Sequence, residues 1–195
     1  VTTTATLASM PTTATPTTIP IREQTFKPTR PNRGMNVALG GTFDPVHDGH
    51  HALFERAVSL GDVTVGLTSD TLAPKTRVVD RSVREYETRK NAVIAELEPL
   101  AAANDREFAV RTLEKPTGIA TEPKFDAIVV SPETVEGAER INEQRREAGR
   151  EPLTIEVVDH VTAEDGERIS STRILTGEID RHGNLTPAAS GRQPE

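Results

Sequence analysis

Two histidines three positions apart, His47 and His50, close the run Gly40-Gly41-Thr42-Phe43-Asp44-Pro45-Val46-His47-Asp48-Gly49-His50. These residue types suit a polyphosphate. Gly40 and Gly41 let the backbone come close to a ligand, where a Cβ would obstruct it. Thr42 offers a hydroxyl. The imidazoles sit at or just before a helix start, where free amides and the helix dipole favour negative charge. Gly49 leaves room between them. A second run, Ser170-Ser171-Thr172, offers hydroxyls at another helix start, with the Arg173 guanidinium beside them. Lys75 lies in the loop Pro74-Lys75-Thr76-Arg77.

Other chemistries lack their signatures. The glycine run has neither the G-x-G-x-x-G spacing of a dinucleotide fold nor the G-x-x-x-x-G-K-[ST] of a P-loop. His47 and His50 are three apart rather than four, with no H-E-x-x-H and no neighbouring cysteine, so a phosphate contact is favoured over a metal site. The chain has no cysteine, which excludes disulfides and thiolate catalysis. His51, His160 and His182 are expected to be solvated. The pairs Glu164-Asp165 and Glu136/Glu139 are expected on solvated faces.

The elements that must position these groups alternate between strand and helix. Val37-Ala38-Leu39 is a buried-looking strand, and His51 to Val58 reads as the helix after the turn. Asp62 to Leu67 is the second strand, and it places Thr68 to Lys75 at the same sheet edge as the glycine turn. Asp80 or Ser82 would cap a helix running to Leu97, with Val83, Tyr86, Val93, Ile94 and Leu97 as its stripe, Lys90 filling the gap and Pro99 beyond the end. Glu107 to Leu113, Phe125 to Val130 and Leu153 to Val158 complete five strands. Between the last two, Ser131 opens a helix that ends at Gly149. This pattern is an α/β doubly wound single domain with a mainly parallel five-stranded sheet, whose ligands bind beyond the carboxyl ends of the strands.

Composition bounds the rest. The 195 residues are only 34% apolar. Residues 1–34 are rich in Thr, Ala and Pro without periodicity and are expected to be a disordered extension. Residues 35–184 form the domain, and 185–195 a flexible tail. Met35, directly before the first strand, is the expected natural start; an intact mass that includes residues 1–34 would overturn this. The formal net charge of −7 argues against nucleic-acid binding. Lysine is confined to Lys27, Lys75, Lys90, Lys115 and Lys124, and this acid-rich, lysine-poor balance suits a high-salt cytoplasm. No apolar run approaches the ~20 residues of a membrane span, so a soluble cytoplasmic protein is expected.

Two motifs together carry a resemblance. Gly41 to His50 resembles the H-x-G-H signature of the nucleotidyltransferase superfamily. Ile169-Ser170-Ser171-Thr172-Arg173-Ile174 resembles its second signature. Gly66 to Asp70, Val129 to Thr134, Gly137 to Arg145 and Ala163 to Asp180 make the chain similar to the archaeal phosphopantetheine adenylyltransferases, and to the corresponding domain of eukaryotic CoA synthase. The resemblance spans Met35 to Gly183. Pro45 is closer to bacterial nicotinate-nucleotide adenylyltransferases, and His51 stands where the archaeal enzymes have lysine.

The resemblance implies a Rossmann-like nucleotidyltransferase fold. It also implies a reaction of ATP, with Mg²⁺, and 4′-phosphopantetheine that gives dephospho-CoA and pyrophosphate. His50, Lys75 and His47 would then be catalytic. Gly41, Thr42, Phe43, His47, His50, Ser170, Ser171, Thr172 and Arg173 would hold the ATP phosphates, and Thr42 and Lys75 would meet the acceptor. No residue is assigned to a metal. Two alternatives stay open. One is another adenylyl- or cytidylyltransferase, such as one acting on nicotinate or nicotinamide mononucleotide. The other is a non-catalytic nucleotide-binding regulatory module.

Overall fold

The computed structural model describes residues 34–76 and 82–187. The expected extension, all but Gly34 at its end, and most of the expected tail lie outside these residues, as does Asp80. The sheet has five strands: β1 (Met35–Gly41), β2 (Gly61–Thr68), β3 (Phe108–Leu113), β4 (Ala127–Val130) and β5 (Thr154–Val157). Their order is β3-β2-β1-β4-β5, and every pairing is parallel. The chain therefore reverses its direction of growth between β1 and β4, the place where such sheets open a crevice.

Strand alternation divides the core in two. Val37 and Leu39 of β1 join Val63, Val65 and Leu67 of β2 and Val129 of β4 on one face. Helix α1 (Asp48–Leu60) covers that face with Phe54, Ala57 and Val58, and α2 (Tyr86–Ala103) with Val93 and Leu97. Ala38, Ile128 and Val130 point the other way, against Ala138 and Ile141 of α3 (Val135–Glu147). Side chains two apart share a face of a strand, so one apolar run feeds both layers. A small third cluster, Ala163, Ile169 and Ile179, anchors the segment around α4 (Ser171–Leu175).

Helix α2 differs from its expected bounds at both ends. It starts at Tyr86, because the preceding Arg84 gives its backbone N–H and its guanidinium to the buried Asp44 carboxylate, at 3.0 and 2.5 Å. That docking holds residues 82–85 out of the helix. Pro99 lies inside the helix rather than beyond it. Pro99 removes the donor to the Ala95 carbonyl, but both residues are exposed, so the freed carbonyl faces solvent. Leu100 and Ala101 meanwhile continue the apolar stripe onto the core. The gap in that stripe is filled by Arg89, fully buried, and not by Lys90, which pairs with Glu87 at the surface.

Candidate active site

The first motif is an extended turn between β1 and α1, and glycine is required where its side chains fold back. A Cβ on Gly41 would stand 2.8 Å from the Phe43 ring. Phe43 adopts φ 49°, an uncommon left-handed conformation for an aromatic residue. Its ring props up the site from below, edge-on to His50 at 5.0 Å and tilted against Phe54 at 5.2 Å. A Cβ on Gly49 would come within 3.0 Å of His47 Cε1. The absence of side chains at 41 and 49 is thus what lets Phe43 and His47 lie flat.

His47 is the N-cap of α1, with extended backbone and no side-chain cap. Its carbonyl accepts the amides of His50 and His51 at 2.8 and 3.0 Å. The Asp48 amide is taken by the Arg181 carbonyl at 3.1 Å. The Gly49 amide has no hydrogen-bond partner among the described residues. The rings of His47 and His50 stack, with centroids 3.8 Å apart. His47 is 5% exposed, and its Nδ1 is buried without a partner among the described residues. Burial lowers its pKa to about 4, aided by Arg168 and Arg181 and opposed by Asp48 and Glu133. The imidazole is therefore neutral at pH 7, a hydrogen-bonding group and not a cation.

The second motif reaches the first directly. Ser170 caps α4 by accepting the Arg173 amide at 3.3 Å. Ser171 Oγ donates to the Pro45 carbonyl at 3.0 Å, across 126 positions of chain. Both serines line a cleft of about 260 Å³ together with Gly40, Gly41, Phe43, His47, Gly49 and His50. Its far wall comes from Val129 and Val130 at the end of β4, Ser131, Glu133 and Thr134 just after it, Val158 to Val161 after β5, and Arg168.

Three groups on that wall, Glu133, His160 and Arg168, were given no site role from sequence, and His160 was expected to be solvated. Arg168 Nη1 donates to Glu133 Oε1 at 2.9 Å, and His160 Nε2 bonds the other carboxylate oxygen. Burial would raise the Glu133 carboxyl, but the His160 bond and the Arg168 charge outweigh it and hold it below the usual range. Arg168 follows the same period-two logic as a strand: it and Ser170 flank Ile169, whose side chain is buried in the third cluster. That alternation was the signal available in sequence.

Other sequence candidates fall elsewhere. Arg173 is committed to Asp165 and to Glu178 Oε2, the latter at 3.0 Å, and does not line the cleft. Donating to these carboxylates raises its pKa, and the bond from Arg173 lowers that of Asp165. Asp165 is thus an ion-pair partner rather than a free surface charge. Thr172 also stands outside the cleft lining, its carbonyl accepting the Thr176 amide at 2.9 Å. Lys75 is exposed on a short 3₁₀ turn, Ala73–Thr76, at the carboxyl edge of β2, and it too is outside the lining. The three histidines expected to be solvated each meet a carboxylate: His51 with Glu96 at 3.0 Å, His182 with Asp48 at 3.0 Å, and His160 with Glu133.

Thr42 lies beside the cleft, with its hydroxyl accepting from Thr68 Oγ1 at 3.1 Å. Behind them is Arg89, whose guanidinium reaches the Thr42 carbonyl at 3.2 Å, Thr68 Oγ1 at 3.4 Å and Asp70 Oδ1 at 2.8 Å, while its Nε donates to the Arg84 carbonyl at 2.8 Å. The hydrogen bond from Arg89 lowers the Asp70 pKa. Among the described residues no group of three or more His, Cys, Asp or Glu could hold a metal ion. No helix there is long and apolar enough to cross a membrane.

The geometry can be set against known proteins. Residues 38–177 match the cytidylyltransferase-like family. The phosphopantetheine adenylyltransferase of Methanosarcina barkeri is 45% identical over 152 residues, covering 76% of this chain and 91% of the relative. That of Archaeoglobus fulgidus is 41% identical over 162 residues, covering 77% and 99%. A solved structure of a protein of unknown function from Archaeoglobus fulgidus superposes with a TM-score of 0.57 at 36% identity, over 70% of this chain and 100% of that one. The chain belongs to the cytidylyltransferase-like family, in the group formed by the archaeal phosphopantetheine adenylyltransferases.

Proposed function

We propose that this protein is a cytoplasmic enzyme that transfers the adenylyl group of ATP to 4′-phosphopantetheine, releasing pyrophosphate and forming dephospho-CoA. The observation that carries the reading is the hydrogen bond from Ser171 Oγ to the Pro45 carbonyl, at 3.0 Å. It joins two phosphate-type motifs around one cleft, on a chain 45% identical to a phosphopantetheine adenylyltransferase.

An oxygen of the acceptor's phosphate attacks the α-phosphorus of ATP. The bond from that phosphorus to the oxygen bridging to the β-phosphate breaks, and pyrophosphate leaves with the electron pair. A phosphate oxygen is already an adequate nucleophile, so no covalent enzyme intermediate and no strong base are required. The protein's part is alignment of the two phosphates and donation of hydrogen bonds to the growing charge.

In this reading Thr42 orients the acceptor phosphate. His50 donates to the transferring α-phosphate, and neutral His47 donates beside it. The Gly49 amide, Ser170 and Ser171 hold the remaining phosphate oxygens. Arg168, on the cleft wall, supplies the nearby guanidinium in the place first given to Arg173. Lys75, on its flexible stem at the sheet edge, reaches in when both substrates are bound. ATP arrives as its Mg²⁺ complex. Phosphate oxygens and water would be the main ligands of that ion.

The test is pyrophosphate release by the purified protein with ATP or CTP against 4′-phosphopantetheine, nicotinate mononucleotide and nicotinamide mononucleotide. Release with ATP and 4′-phosphopantetheine alone is expected. Faster release with a mononucleotide moves the enzyme to the other acceptor class. ATP binding without release under any pairing would make it a binding module.

A further inference from the structure

Arg89 is fully buried, yet its carboxylate partner, Asp70, is exposed and takes only one of its donors. Two further bonds from its guanidinium go to Thr42 and Thr68, at the turn that carries the first motif. We infer that Arg89 and Thr68 form a one-way hydrogen-bond relay that fixes the Thr42 hydroxyl as a donor, and so makes the site select a phosphorylated acceptor. This rests on the placement of Thr42 at the acceptor phosphate under the function proposed above.

The direction of the relay follows from donor and acceptor counting. A guanidinium can only donate. Thr68 Oγ1 therefore accepts from Arg89 Nη1, at 3.4 Å. Thr68 is 5% exposed, and among the described residues its own proton has one acceptor within reach, Thr42 Oγ1, at 3.1 Å. If Thr42 donated to Thr68 instead, the Thr68 proton would be buried without a partner, which is costly. So Thr68 donates and Thr42 accepts. The proton of Thr42 is then left with no acceptor among the described residues and turns outward.

Arg89 also holds the Thr42 carbonyl at 3.2 Å, which fixes the backbone that carries this hydroxyl. An outward O–H matches a phosphate oxygen, which only accepts when fully ionised. It gives no such advantage to the primary hydroxyl of unphosphorylated pantetheine, which can donate as well as accept and binds without the relay's help. The relay would thus act on ground-state recognition of the acceptor's phosphate. Arg89 and Thr68 touch no substrate; they are positioning residues.

Thr68→Val is the sharpest test, since it keeps the shape, leaves Arg89 its three other bonds and removes only the link. KM for 4′-phosphopantetheine should rise about tenfold, the loss of one oriented bond to a charged group. KM for ATP and kcat should stay within about twofold, because a contact present equally in ground and transition states moves KM. The inhibition constant of pantetheine, which lacks the phosphate, should not move. Thr68→Ser should restore KM. Thr68→Val added to Thr42→Val should cost nothing further, whereas a merely structural role would add. Arg89→Lys should give the same KM signature with some loss of stability, and if it does not fold, the Thr68 variants carry the test alone.

An unchanged KM in Thr68→Val, or a pantetheine constant that rises in parallel, overturns the relay while pyrophosphate release by the parent enzyme stands. If the parent releases no pyrophosphate, the functional reading fails separately. Calorimetric titration with 4′-phosphopantetheine and with pantetheine still reads the relay. The parent should prefer the phosphorylated ligand and Thr68→Val should lose that preference; no preference in the parent overturns the relay as well.

Discussion

The imidazoles of His47 and His50 lie nearly parallel, 23° between planes with centroids 3.8 Å apart, at the first turn of α1. Two cations could not be stacked at that distance without strong repulsion. Burial keeps His47 neutral, so the stacked pair does not carry two charges at pH 7. His50, partly exposed and wedged between the His47 and Phe43 rings, is the member of the pair more open to the cleft. The pairing sets the first two expectations.

His50→Ala should lower kcat by about 100- to 1000-fold, the usual effect of removing one preorganised donor to developing charge. The dissociation constant for ATP should change much less. Single-turnover kinetics combined with equilibrium ATP binding separates the two, and near-normal turnover in this variant would remove His50 from its assigned role.

The His47 pKa of about 4 against an ordinary 6.5 makes stability depend on pH. The folded form resists the proton that the unfolded chain accepts. Stability from this group is complete above pH 6.5, falls as pH drops through 6.5 toward 4, and changes no further below that. The full loss is roughly 3 kcal/mol from the shift. His47→Gln should flatten the slope between pH 6.5 and 4 in urea unfolding, relative to the parent protein.

Arg145 is 2% exposed and donates to the carbonyls of Ala120, Glu122, Phe125 and Glu151, at 2.9, 2.6, 3.1 and 2.7 Å. It ties the loop before β4 to the segment before β5. Arg145→Met should cost on the order of 3 kcal/mol, because several buried carbonyls lose a charged donor at once. Denaturant unfolding checks this. Turnover measured well below the new midpoint should be little changed, since Arg145 does not line the cleft.

Arg173 discriminates scaffold from ligand contact. Its guanidinium is held by Asp165 and Glu178, so Arg173→Met should lower thermal stability and activity together. Asp165→Asn, also outside the cleft, should lower both in the same direction. A change confined to pyrophosphate affinity in Arg173→Met, with unchanged stability, would return this residue to the phosphates.

The sequence by itself determined the parallel α/β architecture. Short β-branched runs such as Ile128-Val129-Val130, alternating with helical stripes, leave few other folds. It also marked out the two motifs, whose glycines, histidines and hydroxyls are residue types suited to a phosphate. Their local geometry was legible in part: a hydroxyl run capping a short helix, and Gly49 leaving room beside the histidines, whereas the need for glycine at 41, set by the Phe43 ring, was not.

Only the tertiary structure decided which side chains share the cleft. Arg168 and Arg173 are five positions apart and look equivalent on paper, but the carboxylates of Asp165 and Glu178 claim one and Glu133, 35 positions away, orients the other. Arg89 reads in sequence as one more charge on a helix, since burial and its long-range partners Thr42 and Thr68 appear only when β1, β2 and α2 pack. Local patterns are fixed by backbone sterics and periodicity over a few residues. Charge pairing and burial depend on neighbours brought in from far along the chain, and those exist only in the folded state.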